Sequence, residues 1–316
     1  YVNNAGNQVE KFYQSLKIRN LQLHKGEDFI LLPEDCYQGE DIKDLAIAFS
    51  DVYKDKFVED IIAENGTEFK ENIVKFGLEK NISKMHRDMD RYGIHYDTWF
   101  FESSLYESGE LNDTINILKT NGYTYENDGA LWYKATEFGA EKDEVLIRAN
   151  GFPTYFAADI AYHRNKLEKR NFSRAINVWG ADHHGHVARL QGAVNALGLE
   201  GNKVQIVLMQ LVKILRDGKP VKMSKRTGKS ITLTDLLDET SVDATRFFFN
   251  LRNADSQVEF DLDLAVSKSN ENPVFYVQYA HARINSILKQ IDNSLTEFNE
   301  NNLSLLVDED EIALIK

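Results

Sequence analysis

An α/β fold with a large core, in about two domains, is predicted by three features of this 316-residue sequence. Between residues 143 and 250, apolar strand-like runs alternate with helix-like runs, the order that builds a parallel sheet covered by helices. A content of 42% hydrophobic and 28% charged residues is that of a chain with a large core. The length suggests about two domains at roughly 150 residues each. The single cysteine, Cys36, excludes an internal disulfide and a cysteine-based metal site, and suits a reducing compartment. No apolar run reaches the ~18 residues that cross a bilayer, so no membrane partner is expected and the cytoplasm is the expected location. The sequence opens on Tyr1 in "YVNNAGNQ", neither Met nor a signal peptide, so a true start upstream is expected.

Taken in order, residues 39–64 carry Ile42, Leu45, Ala46, Phe49, Val52 and Tyr53 at spacings of three and four, which predicts one amphipathic helix. Residues 69–92 continue in helical style. From Tyr96 to Tyr133 the pattern breaks at Ser108-Gly109 and Asn127-Asp128-Gly129, predicting a strand-rich region. "DEVLIRA" (143–149) reads as a strand. Pro153 then opens a helix over about 154–166. Ile176, Val178 and Trp179 form a strand that ends at Gly180, and the helix after it closes at Gly198. "VQIVLMQLV" (204–212) reads as one buried strand, and 213–222 as a hairpin turning at Asp217-Gly218. Helices follow over 243–250 and from Pro273.

The net charge of −13 argues against a nucleic-acid partner, but its distribution does not. Residues 213–229 carry seven basic side chains against Asp217 alone, and 163–174 carry five against Glu168. Residues 297–312 carry six acidic side chains and no basic one. Such a run is most often a solvated face. In 213–229, however, glycines and a turn are interleaved with it.

Lys222-Met223-Ser224-Lys225-Arg226-Thr227-Gly228-Lys229 follows the hairpin. A loop this basic can close over a polyphosphate and neutralise charge on a leaving group; the alternative is a basic hairpin loop without a catalytic role. The Gly228-Lys229-Ser230 ending is not a phosphate-binding P-loop, because position 223 is methionine where that motif needs glycine. His183, His184 and His186 admit three readings: a metal site, a structural cluster, or a nucleotide pocket at the C-terminal edge of a parallel sheet. Their spacing is not the i, i+4 pattern of a zinc helix. For a nucleotide, Gly180 lets the ligand approach the backbone and Asp182 can accept hydrogen bonds from ribose hydroxyls. Tyr155 and Asp159, at i and i+4, share a helix face. A carboxylate aimed into a pocket pairs with a planar guanidinium, unless Asp159 merely caps or solvates its helix.

The segments "FPTYFAADIAYH" (152–163), "GADHHGHVARL" (180–190), "DGKPVKMSKRTGKSITLTDLLDE" (217–239) and "SNENPVFYVQYAHARI" (269–284), in that order, resemble the arginyl-tRNA synthetase family of class I aminoacyl-tRNA synthetases. The resemblance covers nearly the whole chain. It implies a Rossmann-like catalytic domain over 1–262, with an insertion over roughly 14–140. The start of an α-helical anticodon-binding domain would follow over 263–316. It implies ATP-dependent activation of L-arginine to arginyl-adenylate and transfer to the 3′ end of tRNA. ATP would enter with Mg²⁺ as the substrate complex, no metal would be held by the protein, and the chain would be a monomer. Lys222, Ser224 and Lys225 would act on the leaving pyrophosphate. Gly180, Asp182, His183, His186 and Met223 would line the adenylate pocket. Tyr155 and Asp159 would bind arginine, with Glu102 in "FFESSLYESG" as a second acidic contact. Tyr276, Tyr279 and Arg283 would face tRNA. Asp243-Ala244-Thr245-Arg246 resembles the family's Asp-Ala-Leu-Arg, with Thr at the third place. The family's first signature, His-x-Gly-His, would precede Tyr1, and without it residues 1–316 alone are expected to be inactive. A class I synthetase for another amino acid, a noncatalytic tRNA-binding module and a metal hydrolase are the competing readings.

Overall fold

The computed structural model describes residues 1–62, 67–221, 231–291 and 300–316. Four helices form the first layer: α1 (Asn7–Lys25), α2 (Glu40–Tyr53), α3 (Val58–Ile62) and α4 (Thr67–Tyr92). Phe12, Leu16, Phe49, Phe57, Phe69 and Ile73 make their common core, with Phe49 against Phe57, Phe69 and Phe76. The single helix expected over 39–64 is therefore two. The chain breaks at Lys54, whose φ of 53 lies in the left-handed region that ends a helix.

Two further helices, α5 (Ser103–Glu107) and α6 (Glu110–Thr120), occupy the stretch expected to be strand-rich. Leu111, Thr114, Ile115 and Leu118 recur at three and four residues and are all buried, a helical period that the turn signals around it masked. Ser108-Gly109 is the α5–α6 junction, with Gly109 left-handed at φ 79. Strands begin at β1 (Thr124–Asn127) and β2 (Ala130–Tyr133). They meet at Asp128-Gly129, both with positive φ, as a two-residue hairpin turn requires. β3 (Glu144–Ile147) pairs antiparallel with β2, so it belongs to this small sheet and not to the parallel one the alternation suggested.

Helix α7 (Tyr155–Arg164) follows, with Thr154 as its N-cap and Pro153 one residue before it; Asn165–Lys169 then form a single π turn. Ala157, Ala158 and Ala161 are buried small side chains, and they let α7 lie close on α6 and on the following helix α8 (Val187–Ala196). β4 (Ala175–Gly180) pairs in parallel with β5 (Val204–Met209). Leu190 and Val194 of α8 cover one face, against Ala175 and Val204. Ile176 and Val178 point to the other face, where they are 57% and 66% exposed. The segment 204–212 is not one buried strand: exposure alternates along β5, and Val212 begins β6 (Val212–Arg216) in a different sheet.

β6 turns at Asp217-Gly218 into β7 (Lys219–Pro220), as the sequence predicts, and pairs in parallel with β8 (Val258–Asp261). Around them pack α9 (Leu233–Glu239), α10 (Val242–Asn250), α11 (Leu262–Val266) and α12 (Pro273–Leu288), sharing a core of Leu236, Phe248, Phe260 and Leu262. α13 (Glu309–Ile315) is exposed throughout. No helix among the described residues is long and apolar enough to cross a membrane.

Candidate active site

The acidic centre is assembled from three separate stretches of chain. Val2 donates its backbone N–H to the Phe100 carbonyl at 2.7 Å, and Glu102 donates its own to the Val2 carbonyl at 2.9 Å. Asn4 and Ser103 exchange two further bonds, of 3.0 and 3.1 Å. This stitching brings the Tyr1 ring against Tyr162 of α7, 4.7 Å between centroids, with Phe100 packed on Tyr162 at 4.5 Å. Glu102, at the start of α5, is 2% exposed. Its carboxylate accepts from the hydroxyls of Tyr1 and Tyr106, the latter at 3.5 Å. Burial pushes the Glu102 carboxyl above its ordinary range, and the two tyrosine hydroxyls oppose that shift. The Tyr106 hydroxyl rises to about 12 through burial and the adjacent Glu102 charge.

Asp159 approaches the same point from α7. Burial, then the Glu102 charge, raises its carboxyl to about 6, while Lys166 and His183 pull it down. Two carboxylates thus share one desolvated region with three tyrosines, and a neutral site would not need such charges. Tyr155, one turn before Asp159, is 39% exposed. With Tyr106, Arg148 and Phe152 it lines an open cavity of about 560 Å³, and Tyr106 joins that cavity to Glu102. Gly6, at φ 75, turns the chain into α1 beside the Tyr155 ring. A larger groove of about 840 Å³ runs along α4 past Lys70, Leu78 and His86, and holds none of the residues singled out from the sequence.

The histidine turn lies at the C-terminal end of β4, where Ala181–His186 form a 3₁₀ helix. His183 stands 3.8 Å from Asp182 and its ring 5.6 Å from that of His186; all three side chains are exposed. Arg189 anchors the turn, donating from Nε to the Gly185 carbonyl at 2.9 Å while its guanidinium pairs with Glu144 of β3. A Cβ at Gly180 would meet an Asp182 carboxylate oxygen at 2.5 Å, so glycine leaves that carboxylate its place. Burial, then Arg189, lowers His186. Among the described residues, no group of three or more His, Cys, Asp or Glu is arranged to hold a metal ion.

The structure therefore brings Glu102 and Asp159 together, sets His183 within reach of the Asp159 charge with Asp182 beside it, and puts Tyr155 in the cavity that Tyr106 also lines. Lys222, Met223, Ser224 and Lys225 lie outside the described residues. The family model for the catalytic domain of class I tRNA synthetases (R) matches residues 31–302. The chain belongs to this family.

Similar proteins agree. The arginine–tRNA ligase of Caldanaerobacter subterraneus is 55% identical and that of Ruminiclostridium cellulolyticum 52%, each across 100% of this chain. The chain spans 56% of the length of both. A crystal structure assigned as an arginyl t-RNA synthetase from Campylobacter jejuni has a TM-score of 0.82 at 33% identity, covering 96% of this chain and 67% of that one. The Thermus thermophilus arginyl-tRNA synthetase, at 18% identity and a TM-score of 0.65, shares the fold.

In this member of the class I synthetase family, Tyr276, Tyr279 and Arg283 stand on α12, and none of them lines the cavity of Tyr106 and Tyr155. Tyr276 and Tyr279 are exposed, and the Arg283 guanidinium sits 5.8 Å over the Tyr279 ring. Arg246 of the Asp-Ala-Thr-Arg segment donates to the Tyr92 carbonyl at 2.7 Å, fixing α10 to the end of α4. Thr245 is fully buried and bonds to the Ser241 carbonyl at 2.7 Å. Sequence reasoning missed Tyr1, Tyr106, His163, Lys166 and Asn177. A signal existed for three of them: Tyr106 is four residues after Glu102, His163 is four after Asp159, and Lys166 is three after that. These spacings extend the polar face of otherwise apolar helices.

Proposed function

We propose that this chain carries the activation centre of an arginine–tRNA ligase. It would convert L-arginine and ATP to arginyl-adenylate and pyrophosphate, then pass the arginyl group to the 3′-terminal ribose of tRNA. The observation that carries the reading is the Glu102–Asp159 pair, with Glu102 buried and Asp159 half-buried within reach of its charge. A guanidinium is always charged and offers a rigid fork of donors, so two carboxylates in a desolvated site match it as they match no neutral side chain. The arginine carboxylate would attack the α-phosphorus of ATP in line, displacing pyrophosphate. Catalysis of that step is largely positioning and charge neutralisation. Asp182, beside Gly180 at the end of β4, is suited to accept from the ribose hydroxyls, with His183 and His186 along the adenylate. Lys222 and Lys225 would neutralise the pyrophosphate, with Met223 and Ser224 between them in sequence, and Mg²⁺ would arrive on ATP. We assign Tyr276, Tyr279 and Arg283 to tRNA contact and residues 263–316 to the start of an anticodon-binding domain. Residues 1–262 are assigned to the catalytic domain, in a cytoplasmic monomer.

Calorimetry with non-hydrolysable aminoacyl-adenylate analogues tests the reading. The arginyl analogue is expected to bind about 100-fold tighter than the citrullyl one, whose neutral urea keeps the shape but leaves the two acids without a counter-charge. Equal affinity for the two, or no heat from either, would overturn the assignment of arginine.

A further inference from the structure

The histidine turn, Ala181–His186, carries no cap of its own. Neither Gly180 before it nor His186 at the start of α8 gives a side-chain cap. Among the described residues, the side chain bonded to the turn's backbone is that of Arg189, whose Nε–H donates to the Gly185 carbonyl at 2.9 Å. The same guanidinium pairs through Nη1 with Glu144, the first residue of β3, and the two side chains are only 14% and 21% exposed. An ion pair taken this far out of water returns little net stability, because desolvation offsets the attraction. What it supplies is geometry: a guanidinium is planar and rigid, so its two N–H groups fix the turn and the strand at one distance and one angle. The strand end of this link leads straight to α7. Ile147 of β3 bridges Pro153, Thr154 donates its N–H to the Leu146 carbonyl at 2.8 Å, and Tyr155 opens the helix. β3 and α7 are also held by β2 and α6. α8 is held further along, where a Cβ on Gly192 would come within 2.7 Å of Phe138 and Asn121 donates to the Ala196 carbonyl at 2.8 Å. Both ends of the link therefore stand without Arg189, and the turn takes its place from it.

We propose that Arg189, paired with Glu144, is a positioning residue for adenylate formation: it sets the nucleotide end of the site against the arginine end, so that one arginyl-adenylate spans both. This rests on the activation reading above. Asp182, His183 and His186 stand on the turn, whereas Tyr155 and Asp159 stand on α7, so the distance between the two sets is the quantity to be held. The step joins the arginine carboxylate to the α-phosphorus, and a misplacement of about 1 Å in such a step can cost on the order of 100-fold. A ligand that touches one end alone does not need that distance. A ligand that touches both does.

The test combines calorimetry with amide hydrogen exchange. Glu144→Gln keeps the shape and an acceptor but removes the charge. Arg189→Lys keeps the charge but cannot hold both partners with one planar group. In each, the non-hydrolysable arginyl-adenylate analogue is expected to bind about tenfold weaker, while L-arginine alone and AMP alone change by less than about twofold. Because the two residues act as one link, the double variant should lose no more than about twofold beyond the larger single loss. Without ligand, exchange over 181–187 is expected to rise about fivefold in each variant, with 153–158 and 192–196 unchanged. A structural role alone would lower all three affinities together or raise exchange in all three segments, and either result would overturn the proposal. So would an unchanged analogue affinity or an unchanged turn. Should Arg189→Lys not fold, Glu144→Gln carries both measurements. If the arginyl analogue fails to bind the wild type, the activation reading falls, and the exchange pattern still judges whether Arg189 and Glu144 hold the turn.

Discussion

Asp159 is held in a place its charge disfavours. Its carboxyl titrates near about 6 instead of the ordinary 3.8 because burial and Glu102 both oppose ionisation. A proton bound more tightly in the folded chain than in the unfolded one stabilises the fold below the unfolded value, and that stabilisation is lost as pH rises through about 6. Near neutral pH the ionised group is therefore a burden that a bound cation would relieve. Asp159→Asn is expected to raise stability at about pH 8 by on the order of 1–3 kcal/mol, and the gain should vanish at about pH 4. The same substitution should weaken arginine binding by about 100-fold. Thermal melts at the two pH values check the first statement and calorimetry the second; an unchanged or lower melting temperature at the higher pH would show that Asp159 is not strained. At this scale the sequence was half legible. Tyr155 and Asp159 announce themselves by an i, i+4 spacing, and Glu102 by its motif. Tyr1 is brought in by a β-bridge between residues almost 100 positions apart, and no local pattern encodes such a contact.

Among the elements, α7 sets the geometry of the pocket, and Thr154 sets α7. Its hydroxyl donates to the Val145 carbonyl of β3 at 2.7 Å and accepts from the Ala157 N–H at 3.4 Å, so one side chain caps the helix and ties it to a strand. Thr154→Ala removes both and should cost about 1 kcal/mol. Because the helix start would then shift beside Tyr155, arginine affinity should drop several-fold as well. Denaturant unfolding with parallel calorimetry checks this, and a variant with wild-type affinity would show that packing on α6 and α8 alone places the helix. Elements with a strong period or a defining turn were readable: α4, α12 and the two hairpin turns with positive φ stand where the residues predicted. Other boundaries depended on tertiary contacts. Lys54 adopts a left-handed φ that nothing in its residue type demands, and β3 joins its antiparallel neighbour by register with β2, while strand composition alone does not specify a partner.

For the whole molecule, the charge pattern needs the fold to interpret it. The cluster at 163–174 looks like a surface for RNA, yet Lys166 is buried, Arg164 pairs with Glu168 at 2.6 Å and Lys169 with Glu110 at 2.9 Å. In the hairpin, Arg216 meets Glu239 and Lys213 lies 3.8 Å from Glu259. Exposed pairs of this kind add little stability. Their effect is on the field: each carboxylate cancels its cation within a distance far shorter than the ~8 Å screening length, so an approaching phosphate meets little net attraction there. A double variant, Lys169→Gln with Lys213→Gln, is therefore expected to change tRNA affinity by less than about twofold. It should also alter the slope of log affinity against log salt by well under the ~0.7 per cation that a direct phosphate contact to a single strand would remove. Filter binding across a salt series measures both. A tenfold loss, or a slope change of about 1.4 for the pair, would mean that these lysines leave their carboxylates for the RNA backbone. The basic surface that binds tRNA would then include the very segments that the fold pairs internally.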